Sequence, residues 1–160
     1  MTDFGIARAI HLVMVVLWIG GVGMVTTVLL PRIRRTHPPA QRLAEFHALE
    51  ARFASQSRWT TGLAGLSGLY MIWRIDAWDR FGVASFWWMH AMVLTWFIFT
   101  VMLFIAEPLF LHRLLRRRAA REPEATYRLV ERVHWVLLAI SLMTVAGAAA
   151  GVAGVNLAGF

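Results

Sequence analysis

Long runs of apolar residues alternate with short polar segments along this 160-residue chain. A helix needs roughly 20 apolar residues to cross a hydrocarbon core. Four runs approach or exceed that length, at about residues 4–30, 60–75, 85–111 and 127–157. No run alternates with a period of two, and open sheets cannot satisfy their edges in lipid. The pattern predicts one all-α domain over residues 1–160, an integral membrane four-helix bundle.

Polar residues and prolines set the limits of these runs. Pro31 is expected to end the first span, and Glu107 and Pro108 interrupt the last turns of the third. Asp3 stands where a secretory signal would carry basic residues, and the run behind it is longer than the apolar region of a signal. We therefore expect the first run to be retained as a span.

A polar segment between the first two runs has an apolar stripe at helical spacing. Leu43, Phe46, Leu49 and Phe53 lie three or four positions apart. The segment is either an interfacial amphipathic helix, separated from the first span by Pro38 and Pro39, or an extension of the second span. The sequence favours neither alternative.

Composition supports a membrane protein and removes several chemistries. Hydrophobic residues make up 59% of the chain, which is high for a soluble domain. The absence of cysteine excludes disulfides, thiolate metal sites, iron–sulfur clusters and thioether-linked haem, so a cofactor would be held non-covalently. All 16 basic residues are arginine, which excludes Schiff-base chemistry on lysine.

The arginines also predict the orientation in the membrane. Thirteen lie in the first and third connections and their flanks, and three, Arg8, Arg74 and Arg80, lie towards the opposite side. Short loops rich in arginine stay in the cytoplasm, so both termini are expected to be periplasmic. Topology accounts for the charge of +7, and no basic groove or helix-turn-helix pattern accompanies it, so nucleic acid is not an expected partner.

Small residues recur at four-residue spacing in two of the runs. Gly65 follows Thr61 in the second run, and Gly151 follows Gly147 in the fourth. Such surfaces let helix backbones approach closely, which is the simpler interpretation. They also leave room for a planar cofactor or for a second subunit, so a homo-oligomer is a candidate assembly.

Two histidines carry the strongest chemical signal. His11 lies about two turns inside the outer end of the first span, and His90 about one and a half turns inside the outer end of the third. Ionisable residues within a membrane indicate function by default. Two imidazoles at one depth on different helices are typical of bis-histidine ligation of haem b, and hydrogen bonding between helices is the alternative.

Other residues are candidates for supporting roles. The haem propionates are expected to be bound by Arg8, Arg74 and Tyr70. Arg8 lies one turn outside His11, and Tyr70 lies one turn before Arg74. His134 is a weaker candidate for a second haem or metal site, whereas His37, His47 and His112 are interpreted as loop-borne or terminal. Glu107 is expected to pair with a loop arginine.

The order of short motifs along the chain resembles one family. Six segments are similar, in this order, to motifs of the HemJ-type protoporphyrinogen IX oxidases and the wider CopD-like family. They are Ala9-Ile10-His11, Leu17-Trp18-Ile19-Gly20-Gly21, Leu30-Pro31-Arg32 with His37, Gly68-Leu69, Met89-His90-Ala91, and Tyr127-Arg128 with Glu131. The resemblance implies a multi-pass protein of the bacterial inner (cytoplasmic) membrane that binds haem b, with His11 as an axial ligand.

The chain departs from that family at three positions. Met92 stands where the HemJ-type oxidases have a lysine two positions after the third-span histidine, and Val130 and His134 replace an asparagine and a proline of the fourth-span pattern. The lysine is associated with porphyrinogen oxidation. These departures favour a haem-binding relative over an oxidase.

Three functions therefore remain open at the level of sequence. The first is a membrane cytochrome b in quinone-linked electron transfer, and the second is a haem-dependent porphyrinogen oxidase that uses quinone, which would make the protein an oxidoreductase. The third is a copper-handling protein with Met14, Met24, Met89 or Met92 as soft ligands.

Overall fold

The computed structural model describes residues 3–154 and is helical along almost all of them, with no strand in this part of the chain. Helix α1 covers Asp3–Thr36, α2 covers Pro39–Arg74, α3 covers Ala84–Ala119 and α4 covers Pro123–Val152. A short 3₁₀ helix, Ala77–Gly82, lies in the connection between α2 and α3. The predicted end of the fourth run, Leu157, lies outside the described residues.

Three of these helices, α1, α3 and α4, are long and apolar enough to cross a membrane. Large apolar side chains on their outer faces are exposed, as at Val16, Leu94 and Met143. Contiguous exposed apolar surface of this kind is typical of contact with lipid. These observations indicate a multi-pass membrane protein.

Helix α2 is the exception to the four predicted spans. It contains the predicted run 60–75, but it is not among the helices whose length and composition suit a span. The run, residues 60–75, has 16 residues, which is shorter than the hydrocarbon core requires. Among the described residues, the structure thus has three candidate spans where the sequence predicts four.

The prediction that Pro31 ends the first span is wrong, because α1 continues to Thr36, whereas the predicted interruption around Pro108 is present as a distortion within α3. α1 widens into a π-helical stretch at Val25–Leu29, just before Pro31, and α3 does so at Met102–Leu111, around Pro108. Proline lacks an N–H and clashes with the carbonyl four residues earlier. A wider turn changes the hydrogen-bond pattern, so each helix passes its proline without ending.

The polar segment with the apolar stripe is an extension of α2, not a separate interfacial helix. Its apolar face is buried by protein: Leu43 and Phe46 are 5% and 2% exposed. They belong to a buried cluster that joins α1, α2 and α4. The members of this cluster are Leu30, Ile33, Leu43, Phe46, Tyr127 and Val130.

Ion pairs surround this cluster at one end of the bundle. Arg34 on α1 binds Glu124 and Glu131 on α4, and Arg42 on α2 also binds Glu124. Tyr127, fully buried, donates a hydrogen bond of 2.9 Å to the carbonyl of Leu30. We call this the arginine-rich end. The opposite end joins the start of α1 to the end of α2.

Candidate functional site

The side chain of His11 lies against helix α2. Its Nδ1 is 2.8 Å from the carbonyl oxygen of Ala64 and 3.3 Å from the hydroxyl of Ser67. A carbonyl oxygen can only accept, so Nδ1 carries the ring proton and donates it to Ala64. In a neutral imidazole the lone pair is then on Nε2. His11 is therefore held as the tautomer that has its lone pair on Nε2.

A glycine on α2 makes this position possible. A Cβ atom added at Gly68 would lie 3.2 Å from Cε1 of His11, which is tighter than ordinary contact. The ring can approach the helix because Gly68 has no side chain. Ala64 and Gly68, which lie four residues apart on α2 as Thr61 and Gly65 do, thus seat an imidazole between two helices.

The predicted propionate ligands are already engaged with a carboxylate. Arg74 Nε donates to Asp3 Oδ2 at 2.7 Å, and the hydroxyl of Tyr70 donates to the same oxygen at 3.0 Å. The structure therefore brings Arg74 and Tyr70 together, and a haem propionate would have to displace Asp3 from them. Arg8 is exposed on α1.

His90 has different surroundings from His11. Its side chain is exposed, and its ring contacts Phe81 at 5.2 Å between centroids, whereas the neighbouring Met89 is buried. Within residues 3–154 the structure shows no hydrogen bond or ring contact between His11 and His90. The two histidines predicted as a pair are not brought together by direct contact.

The other small-residue surfaces are filled by tryptophan. Trp96 lies over Gly65 and donates from Nε1 to the carbonyl of Thr61 at 2.9 Å. Trp87 lies over Gly147, and Trp88 lies over Gly151. At these positions the glycines serve helix packing, the simpler of the two interpretations, and their surfaces hold indole rings in place of a planar cofactor.

His134, the weaker candidate, is partly buried on α4. Its Nδ1 donates to the carbonyl of Val130 at 2.9 Å, and its ring contacts Phe46 edge-on at 5.4 Å. It lies outside the cluster of possible metal ligands that the described residues form. The structure accounts for His134 as a residue that packs between α4 and α2.

Glu107 pairs with an arginine, as expected, but the partner is on a helix and not in a loop. Nη2 of Arg58 on α2 lies 3.4 Å from Oε1 of Glu107, and Nε of Arg58 donates to the carbonyl of Leu103. The π-helical turns around Pro108 free carbonyl groups such as that of Leu103 for side-chain donors. The pair therefore joins α2 to the distorted part of α3.

Sequence reasoning missed a cluster formed by His47, Glu50 and His112. One ligand atom from each lies within 4.8 Å of the other two. His112 Nε2 is 3.8 Å from Glu50 Oε2, and the two imidazole rings are 4.5 Å apart. The signal available in the sequence was the spacing of His47 and Glu50, three apart on one helical face.

Burial changes the protonation of the two α2 members of this cluster. It lowers the pKa of His47 to about 4, helped by electrostatic repulsion from Arg116 and His112 on α3. It raises the pKa of Glu50 to about 7, helped by the negative charge of Glu107. The low-dielectric surroundings disfavour the charged form of each group. His47 is therefore neutral at pH 7, and Glu50 is close to its midpoint.

No family model matches this chain, and no curated protein and no solved structure matches it either. The resemblance to the HemJ-type and CopD-like proteins therefore stays a prediction.

Proposed function

We propose that the protein is a multi-pass membrane protein that binds haem b through Nε2 of His11. The observation that carries the proposal is the hydrogen bond from Nδ1 of His11 to the Ala64 carbonyl. Histidines that bind metals almost always donate their other ring N–H to such an acceptor, which fixes the tautomer and raises the basicity of the ligand. His134 makes a similar bond only to its own helix, whereas His11 is held by a carbonyl of a second helix, which fixes the ring relative to both.

The surroundings of His11 suit this role in part. Gly68 allows the ring to approach α2, and Ser67 is buried beside it. Arg8, one turn towards the helix start and exposed, is the cation best placed to meet a propionate without displacing Asp3. Arg74 and Tyr70 would contribute only if Asp3 moved away.

Bound haem b would supply one-electron redox chemistry, with quinone as the proposed electron partner. The chain's own contribution is to hold one strong nitrogen ligand at a fixed angle within a largely apolar bundle. Axial ligation, surrounding hydrogen bonds and burial set the potential of such a group. His90, which is exposed beside Phe81, is the proposed second ligand.

The proposed membrane arrangement has four spans, with α2 crossing through its apolar half. The arginine-rich end then faces the cytoplasm of a bacterium and both termini face the periplasm, because cytoplasmic loops are enriched in arginine. Reporter fusions at Arg35 and Arg118 should read as cytoplasmic, and a fusion at Asp79 as periplasmic. A cytoplasmic reading at Asp79 would overturn the four-span arrangement.

Haem binding is tested on protein purified in detergent, with pyridine haemochrome analysis of the pigment. We expect about one haem b per chain and its loss or spectral change in His11→Ala. His37→Ala is the matched control, because His37 pairs with Thr36 at the arginine-rich end. A colourless protein that does not take up added haem would refute the proposal.

The second ligand is tested with the same preparations. Two imidazole ligands impose a strong field, so a low-spin spectrum that becomes high-spin in His90→Ala would assign His90. An unchanged spectrum in His90→Ala would remove His90 from the site. Reduction of the pigment by a soluble quinol is the test of the quinone partner, and a pigment that quinol does not reduce would contradict it.

A further inference from the structure

Two histidines and a glutamate from α2 and α3 converge near the arginine-rich end of the bundle. We propose that His47, Glu50 and His112 form a binding site for a divalent first-row transition-metal ion. The site is separate from His11, and no part of the proposal depends on haem.

The spacing of the three groups is close to what a metal ion requires. Ligand atoms 2.0–2.2 Å from one tetrahedral ion are about 3.3–3.6 Å apart. The distance between His112 Nε2 and Glu50 Oε2 is 3.8 Å, and no pair among the three exceeds 4.8 Å. To bind one ion, the two ligand atoms of any pair therefore have to move closer to each other by no more than about 1.5 Å.

An unpartnered buried atom in the cluster points independently to a ligand. Nε2 of His47 is buried and has no hydrogen-bond partner. A buried polar atom without a partner destabilises the fold and calls for an explanation. The ring of His112, whose nitrogen is another of the three proposed ligands, lies beside that of His47 at 4.5 Å between ring centroids. A metal ion bound between them would give the orphaned nitrogen its partner.

The donor set selects the class of ion. Two imidazoles and one carboxylate suit ions such as Zn²⁺, Co²⁺ and Fe²⁺ and leave coordination positions for water. Mg²⁺ and Ca²⁺ prefer sites built from oxygen alone, and Cu⁺ prefers sulfur ligands, which this cluster lacks. The site is thus of the kind that binds an ion with an open coordination position.

The charges around the cluster are mixed. Arg116, one turn beyond His112 on α3, faces His47, and Glu107 faces Glu50 from the same helix. Arg58 on α2 pairs with Glu107. The positive charge of Arg116 opposes a cation, and the Glu50 carboxylate is the group that offsets it. The proposal therefore predicts that Glu50 is indispensable for binding.

The test is metal titration of the full chain purified in detergent, without a polyhistidine tag and after treatment with a chelator. Co²⁺ is followed by its visible absorption, and Zn²⁺ is measured by calorimetry and by competition with Co²⁺. We expect one ion per chain. Glu50→Gln, which keeps the shape of the side chain, and His112→Ala should each weaken binding at least tenfold, and His37→Ala should bind as the wild type does.

Two further measurements keep the outcome unambiguous. Zn²⁺ should raise the melting temperature of the wild type and not that of Glu50→Gln, which tests the site even if an alanine variant does not fold. His11→Ala should bind Co²⁺ normally, so a failure of the haem proposal leaves this result unaffected. Absence of one-to-one binding, or wild-type affinity in Glu50→Gln, would overturn the proposal.

Discussion

Two glycines on the same helix, three residues apart, should respond to alanine in opposite ways. At Gly62 an added Cβ meets nothing within 4 Å, whereas at Gly65 it would lie 2.6 Å from Cζ2 of Trp96 and closer still to Nε1. Gly62→Ala should therefore gain helix propensity, up to about 1 kcal/mol. Gly65→Ala has to move an indole ring that is seated on the helix.

The cost at Gly65 has two parts. Displacement of the ring breaks the hydrogen bond from Trp96 to the carbonyl of Thr61, worth about 1 kcal/mol. Overpacking adds roughly 1–3 kcal/mol. After the gain in helix propensity, we expect Gly65→Ala to destabilise the protein by about 1–3 kcal/mol, which lowers the melting temperature by roughly 2–10 °C.

Thermal unfolding in detergent, followed by far-UV circular dichroism, measures both variants against the wild type. The comparison within one helix removes the general effect of alanine on helix formation. If Gly65→Ala melts at or above the temperature of Gly62→Ala, Trp96 does not occupy the surface of α2, and the assignment of the small residues to packing is wrong.

Three further predictions concern buried polar groups. Tyr127→Phe should cost about 1–2 kcal/mol by the same melting assay, because it removes the hydroxyl that binds Leu30; an unchanged melting temperature would contradict that contact. Since the folded pKa of Glu50, about 7, lies above its ordinary value, the wild type should lose stability as pH rises from about 4.5 through 7, by up to about 3 kcal/mol. With a chelator present to remove metal ions, Glu50→Gln should therefore be more stable than the wild type at pH 8 and equal to it at pH 4. Equal stability at pH 8 would show that the pKa of Glu50 is not raised in the folded protein. Arg58→Ala should cost about 1–2 kcal/mol, because it leaves the buried Glu107 carboxylate unpaired. Glu107→Gln in that background should restore part of the loss, and no recovery in the double variant would contradict the pairing.

Apolar patterning was sufficient to predict the helices but not their partners. The stripe of Leu43 and Phe46 predicts an amphipathic helix, and the helix exists. Periodicity defines a face without saying what covers it, so an interfacial helix and an extension of the second span were equal alternatives. The cover is Tyr127 and Val130 of α4, more than 70 residues away in the chain, and no local pattern specifies that contact.

The missed cluster has a physical reason in the shape of α3. His112 follows ten π-helical residues, Met102–Leu111, whose wider turns change the direction in which the later side chains point. A sequence projected on a regular α-helix therefore misplaces His112 relative to the apolar part of the same helix. The pairing of His11 and His90 was inferred from depth alone, and depth does not determine the direction around a helix in which His90 points.

Helix α2 connects the two proposed sites and also keeps them apart. It supplies the Ala64 carbonyl to His11 and the side chains of His47 and Glu50 to the metal cluster. Ala64 and His47 are separated by 17 residues of continuous helix, about 26 Å at 1.5 Å per residue. Side chains cannot bridge that distance, and charges that far apart are largely screened where solvent reaches them. Substitutions at the two sites should therefore have independent effects, so that His11→Ala alters haem alone and Glu50→Gln alters metal affinity alone. A single variant that abolishes both must act by unfolding α2, and its circular dichroism spectrum would show the loss of helix; loss of both with the helices intact would refute the separation of the two sites.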